Sequence, residues 1–196
     1  CHLDPDIRPD VIERAEGWSA LFGQSDSAEG HLRNNNIGPG DLFLFFGWFR
    51  ETEIINWRLQ YKKDAPDLHV VYGYMEIGMK YDDYSQFPAH AMYHSHASEN
   101  RLNKKNCIYE AADRLSIDPS KPGAGTFNFK KELVLTKEVE SRSRWLLPDF
   151  FKDVKISYHS ENSFKDGYFD SAKKGQEFVI EPDDNVMNWV KNLFGD

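Results

Sequence analysis

The stretch Gly40-Asp41-Leu42-Phe43-Leu44-Phe45-Phe46-Gly47-Trp48-Phe49-Arg50 constrains the fold more than any other in the chain. Strand alternation sends Leu42, Leu44, Phe46 and Trp48 to one face, and Phe43, Phe45 and Phe49 to the other. Both faces are apolar, which predicts a central strand covered on both sides. Gly40-Asp41 supplies a turn ahead of it. Gly47 inside it marks a bulge, or a place where another backbone or a ligand comes close. Arg50, closing so apolar a segment, calls for a carboxylate, a phosphate or solvent.

The flanking sequence fills in the remaining elements. Asp10 and Glu13 have the spacing of a capping box, and Val11, Ala15, Trp18 and Leu21 or Phe22 recur at helical spacing. A helix is therefore expected over 10–22, ended by Gly23. A short helical turn is expected around His31-Leu32. Ile54, Ile55, Trp57, Leu59 and Tyr61 suggest a strand within 51–67, and 69–78 reads as a second aromatic strand with Gly73 inside it. Strands with internal glycines suit a curved sheet or a small barrel. Residues 79–105 form a long polar stretch carrying His90, His94 and His96, and so long a loop is usually functional or mobile. Short strands are expected over 106–111, 133–136, 154–158 and 175–180, with a helical turn near Asp149-Phe150-Phe151. Asp184 is placed to cap a last helix in which Val186, Trp189, Val190 and Leu193 share a face.

The fold class expected is α+β: a curved mixed β-sheet or small PUA-like barrel with flanking helices, as a single domain over 1–196. The Gly-Asp turn, the apolar strand and the glycine-containing aromatic strand look like those of PUA-like barrels. Some of these hold a flipped modified base in an aromatic pocket, and the likeness is one of fold alone.

A chain of 196 residues can bury a sizeable core without staples. Its formal charge of -8 argues against an extended face gripping duplex DNA, since lysine and arginine neutralising phosphates drive such binding. A mononucleotide or a single flipped base stays open. Cys1 and Cys107 make no disulfide framework, so a reducing cytoplasm is the expected compartment. Cys107, in an apolar strand, reads as an inert core thiol. No apolar run approaches the roughly 18 residues of a membrane span. The chain starts on Cys1 rather than Met, and a preceding segment of the full-length protein is expected.

Several polar residues are candidates for chemistry. His94 and His96, two apart, are able to reach one metal, phosphate or transferred proton. A metal would need a third ligand from His2, Asp4, Asp6, His31 or His90, so metal and cofactor stay unknown. Asp4-Pro5-Asp6 suits either a turn or oxygen ligation of Mg²⁺. Gln24 and Gln176 are suited to reading a base edge through paired hydrogen bonds. Arg50, Arg142 and Arg144 are the best phosphate ligands, with Ser141 and Ser143 beside them. Trp48, Trp57, Tyr72, Tyr74 and Trp145 offer stacking faces. The sequence has no Walker loop, dinucleotide-binding glycine pattern, nucleophile elbow or zinc deaminase signature.

With these residues in view, the chain resembles the nucleotide modification associated domain 3 family. The likeness rests on His2-Leu3-Asp4-Pro5-Asp6, Gly23-Gln24, Gly30-His31-Leu32, the Gly40–Arg50 run, His69-Val70-Val71-Tyr72-Gly73-Tyr74, His94-Ser95-His96, Leu146-Leu147-Pro148 and Gly175-Gln176-Glu177-Phe178-Val179. The histidine motif here reads His-Ser-His where His-Pro-His is expected. The resemblance implies a part in DNA base or nucleotide modification, largely in phages and bacteria, and names a setting without a reaction. The reading is then a nucleotide- or base-modifying protein of unknown reaction type. Its catalytic candidates are Asp4, Asp6, His31, His94 and His96, and its substrate-binding candidates are Gln24, Trp48, Arg50, Arg144 and Gln176. The alternative is a non-catalytic reader of a modified nucleotide; a partner-binding scaffold comes third. A modifying enzyme should gather histidines and acids around one cleft, whereas a reader should show an aromatic-walled pocket.

Overall fold

A computed structural model describes residues 4–98, 101, 105–172 and 176–195. The fold is α+β and mostly strand, with a strongly curled half-barrel sheet and two helices. In chain order the elements are β1 (Leu21–Ser25), α1 (Asp26–Asn34), β2 (Leu42–Phe49), β3 (Thr52–Ile55), β4 (Arg58–Tyr61), β5 (Leu68–Tyr81), β6 (Asn106–Ala111), β7 (Ala124–Thr126), β8 (Arg144–Trp145), β9 (Phe164–Lys165), β10 (Tyr168–Asp170) and α2 (Asp184–Leu193). The main sheet has the order β1-β6-β5-β2, with β7 also on β5. β3 and β4 form a hairpin, and β8-β10-β9 a small sheet. β1 runs antiparallel to β6, from Leu21 opposite Glu110 to Ser25 opposite Asn106.

The chain divides into two compact units. The first comprises Cys1–Leu44 and Gly73–Phe127, the second Phe45–Tyr72 and Asn128–Asp196. The division falls inside β2 and β5, where an apolar run gives no sign of a boundary.

In the first unit Leu21, Leu32, Met75, Ile77, Ile108, Tyr109 and Leu115 are fully buried, and Cys107 lies among them. Burial pushes the Cys107 thiol up to about 12, so it is an inert core group. Glu29, also fully buried, accepts a hydrogen bond from Tyr109 Oη at 2.7 Å and lies 3.4 Å from both Lys80 Nζ and Arg33 Nη2. These partners offset the cost of burying its charge and fix α1 against β6 and the far end of β5. In the second unit Phe46, His69, Trp145, Phe169 and Phe178 pack as one aromatic cluster. Asp183 caps α2, accepting from Val186 N–H at 2.8 Å, and Val186, Val190 and Leu193 are buried.

Several expectations need correction. No helix forms over 10–22: these residues are turns and irregular chain until β1 begins at Leu21. Asp10 pairs with Arg8 instead of capping, Gly17 takes a left-handed φ of 75°, and Val11 and Ile12 are exposed. The helical turn at His31-Leu32 is the full helix α1. β2 ends the order of its sheet instead of lying at its centre; Phe45 is buried, but Trp48 and Phe49 are substantially exposed. The expected strand within 51–67 is a hairpin, turned by Asn56 and Trp57, both at positive φ. Residues 133–136, 154–158 and the described part of 175–180 make only isolated bridges, Val70 with Val134, Thr136 with Trp145 and Ile156 with Ile180. Gly175 lies outside the described residues.

His159 gives the second unit a dependence on pH. Its ring sits 4.6 Å from Phe169 and 4.8 Å from Phe178 between centroids, and its buried Nε2 has no hydrogen-bond partner. Burial depresses its basicity, with Asp170 opposing, and burial and the nearby Arg142 cation likewise depress that of His69. Both are held neutral in the fold. As pH falls through the ordinary histidine value near 6.5, the unfolded chain takes up protons first, so stability is lost until the depressed folded values are reached. Melting measured from pH 7.5 to 5 should show Tm falling. His159→Phe, which removes one of the two groups, should make that slope shallower; an unchanged slope would refute this account.

Candidate active site

The N-terminal segment joins the edge of β1. Asp6 and Leu21 exchange backbone hydrogen bonds, Asp6 N–H to Leu21 O at 2.8 Å and Leu21 N–H to Asp6 O at 3.0 Å. In that antiparallel register Asp4 lies opposite Gly23. Its side chain makes the connection there, Oδ1 accepting from Gly23 N–H at 3.0 Å.

Two imidazoles converge on the same carboxylate. His94 Nε2 lies 3.7 Å from Asp4 Oδ1, and His96 Nε2 lies 3.2 Å from Asp4 Oδ2. The His94 and His96 side chains are 0% and 6% exposed, and that of Asp4 is 9% exposed. The short 3-10 turn at Ser95–Ala97 aims both rings one way, with His96 N–H donating to His94 Nδ1 at 3.3 Å.

Asn106, the first residue of β6, orients His96. Its amide Nδ2 donates to the His96 carbonyl at 2.7 Å, so its Oδ1 must face His96 Nδ1, also at 2.7 Å. An amide oxygen only accepts, so His96 Nδ1 carries a hydrogen. The other ring nitrogen, Nε2, therefore meets Asp4 either as a lone pair or with a second proton. A hydrogen bond across that 3.2 Å gap requires a proton held between the two groups. The arrangement is a carboxylate–imidazole pair able to give up or take a proton, with His94 as a second imidazole beside it.

A second carboxylate locks the segment. Asp6, 1% exposed, receives a bidentate pair from Arg14, Nη1 at 2.8 Å and Nη2 at 2.5 Å, and a hydrogen bond from Tyr93 Oη. Trp18 Nε1 donates to the same Tyr93 oxygen at 2.8 Å, and the Arg14 guanidinium lies over the Trp18 ring. Burial, aided by Asp6, pushes the Tyr93 phenol up to about 12, so it remains a donor throughout the neutral range. Asp6 is two residues from Asp4 and Tyr93 is next to His94, so this bond ties together the two segments that make the site.

A profile of the nucleotide modification associated domain 3 family matches residues 1–181. The chain belongs to that family. No curated protein and no solved structure matches it. The match spans all the residues of the domain 3 site just described, the whole of the first compact unit and the second as far as residue 181.

Of the expected catalytic residues, Asp4, His94 and His96 come together. Asp6 instead holds Arg14 and Tyr93 and does not face the two imidazoles. His31 lies on α1, its Nδ1 3.4 Å from Asn35 Nδ2. Gln24 is on β1, opposite Cys107. The other substrate-binding candidates, Trp48, Arg50, Arg144 and Gln176, belong to the second unit. There Arg144 pairs with Glu140 at 2.6 Å and lies over Tyr168. Among the described residues, no group of three or more His, Cys, Asp and Glu side chains is set to hold a metal ion. His2 lies outside them.

Sequence reasoning missed Gly23, Asn106, Arg14 and Tyr93. Gly23, expected from the sequence to end a helix, is a contact of the site. A Cβ built there would fall 2.3 Å from His96 Cγ, well inside van der Waals contact. Gly23→Ala should therefore drive His96 off Asp4: its imidazole NMR signals should shift, while the signals of His159 in the second unit stay put. Unmoved His96 resonances would contradict the packing described.

Proposed function

We propose that the chain modifies a nucleotide or a DNA base by proton transfer at Asp4, His94 and His96. One observation carries this reading: a single carboxylate receives two buried imidazoles from a distant part of the chain, in a family associated with nucleotide modification. Asn106 holds the His96 tautomer, so Nε2 is the atom that exchanges a proton with the carboxylate. The 9% exposure of the Asp4 side chain makes it the member of the trio through which a bound base would communicate. The low dielectric around the pair strengthens its electrostatic effect on charge developing in a substrate. General acid–base catalysis of this kind contributes roughly 10²–10⁴-fold to a rate. The substrate that suits a chain of charge -8 is a single nucleotide or flipped base, not an extended duplex.

A non-catalytic reader is the second reading, favoured by the half-exposed Trp48 stacked on Tyr61 in the second unit. Mass spectrometry of DNA and nucleotide pools separates the two. Cells expressing the full-length gene should accumulate an altered nucleoside. With Asp4→Asn, or with His94→Ala and His96→Ala together, its yield should fall by about 10²–10⁴. If the wild-type gene produces no new nucleoside, or if a folded Asp4→Asn protein produces as much as wild type, the catalytic reading fails.

A further inference from the structure

We propose that the β3–β4 hairpin is a dimerisation surface, through which two copies of this chain pack apolar face against apolar face about a two-fold axis. The hairpin is a sheet of its own, with only two strands. Its register sets Thr52 opposite Tyr61, Glu53 opposite Gln60, Ile54 opposite Leu59 and Ile55 opposite Arg58. Residues opposite one another in an antiparallel pair share a face, and the faces alternate along each strand. Thr52, Ile54, Leu59 and Tyr61 therefore form one face, which Trp48 extends by stacking on Tyr61 with 6.3 Å between ring centroids. Glu53, Ile55, Arg58 and Gln60 form the other, so both charges of the two strands lie on that side. The Glu51–Lys62 pair, joined by a backbone hydrogen bond and by an ion pair at 2.8 Å, continues it. A two-stranded hairpin is marginal in water unless its apolar face is packed. Here that face is bare: Ile54 and Leu59 are each 71% exposed, Tyr61 60% and Trp48 53%. Trp57, at the tip, is 96% exposed and has a φ of 63°, in the left-handed region that hairpin turns usually give to asparagine or glycine. A tryptophan held there is unfavourable in conformation and in solvation at once, and a partner's contact relieves the second.

Area, charge and symmetry favour a second copy as the occupant. A whole aromatic side chain carries about 150–250 Å², so the exposed parts of Trp48, Trp57 and Tyr61 amount to about 400 Å². Ile54 and Leu59 bring the apolar patch to roughly 500 Å². A standard interface takes about 800 Å² from each partner, and in homodimers about 65% of it is apolar, again about 500 Å². The strand residues of this face carry no charge, so two chains of formal charge -8 meet where neither presents it. The nearest cations, Arg50 over Tyr61 and Arg142 over Trp48, stand at its inner end beside Asp67, as a polar rim does. A phosphate backbone finds no row of cations along Ile54 and Leu59, and aliphatic side chains give a base no ring to stack on. A two-fold contact requires a surface complementary to itself, which an uncharged face of isoleucine, leucine and aromatic rings is. A second copy seated there also covers the Trp48 ring on which the reader alternative would stack a base.

Sedimentation equilibrium of the full chain at several concentrations tests this. As concentration rises, wild type should reach twice the 22.8 kDa of one chain. Ile54→Thr combined with Leu59→Thr keeps residues suited to strands while shrinking the apolar surface, and should weaken association at least tenfold. Trp57→Ala should weaken it by a similar factor. Ile54→Glu, which sets like charges against each other across the axis, should abolish it. Gln60→Glu adds the same charge to the opposite face and should leave association unchanged. These side chains are exposed in the single chain, so far-ultraviolet circular dichroism and melting at a concentration where wild type is monomeric should match wild type throughout. A wild-type chain that stays monomeric at every concentration would overturn the proposal, as would a dimer indifferent to Ile54→Glu or one lost equally in Gln60→Glu. A monomer that instead binds lipid vesicles or a single-stranded oligonucleotide through Trp57 would overturn it too, by giving the face another occupant. Asp4→Asn should dimerise as wild type does, so loss of modification and loss of pairing are read separately.

Discussion

The first unit depends on the carboxylate of Asp6. Its backbone extends the edge of β1, while its side chain holds Arg14 and Tyr93. Tyr93 leads directly into His94, so one buried charge sets the distance between the N-terminal segment and the histidine loop. Breaking a buried ion pair by removing one partner costs about 3–5 kcal/mol, a large part of the roughly 5–15 kcal/mol that holds a domain folded. Arg14, at 10% side-chain exposure, is buried enough for that range to apply. The placement of Asp4 follows from this lock. With Asp6 opposite Leu21, the strand register sets Asp4 opposite Gly23, and the missing Cβ at Gly23 is the space that His96 occupies.

The two units divide the chemistry. The first concentrates titratable groups around one carboxylate; the second concentrates guanidinium groups and half-exposed rings. Neither is a broad basic surface, which fits a chain whose formal charge is -8. The hydrogen bonds around the histidines are as informative as the side chains themselves. An acceptor-only amide oxygen fixes which nitrogen of His96 holds its hydrogen, and that decides which nitrogen faces Asp4.

The α+β class, the curled sheet, the aromatic strand β5 and the last helix were legible because period-two and period-three-to-four patterns report directly on burial. Asp4, His94 and His96 were legible as types: a carboxylate and paired histidines are the residues that acid–base work needs. What brings them together was not, because it lies in long-range bonds that leave no local trace. Tyr93 and Asn106 have no spacing signature, and Arg14 sits in a segment whose spacing imitates a helix. There the competing bonds, Arg14 with Asp6 and Trp18 with Tyr93, outweigh a capping box whose aspartate is already held by Arg8. β2 misled in a related way. A run apolar on both faces reads as central, yet its last aromatic residues are left half-exposed, where Trp48 meets Arg142 and Tyr61. The Asn56-Trp57 turn was legible in principle, since asparagine tolerates the left-handed conformation it adopts there.

The central claim, that one carboxylate is shared by two oriented imidazoles, is tested most directly by nitrogen-15 NMR of the histidine rings in the full chain and in its Asp4→Asn variant. The account predicts that His96 holds its hydrogen on Nδ1, and that the Nε2 resonances of both His94 and His96 move when Asp4 is replaced while those of His69 and His159 do not. Rings that average between tautomers, or Nε2 signals of His94 and His96 that ignore the substitution, would contradict it.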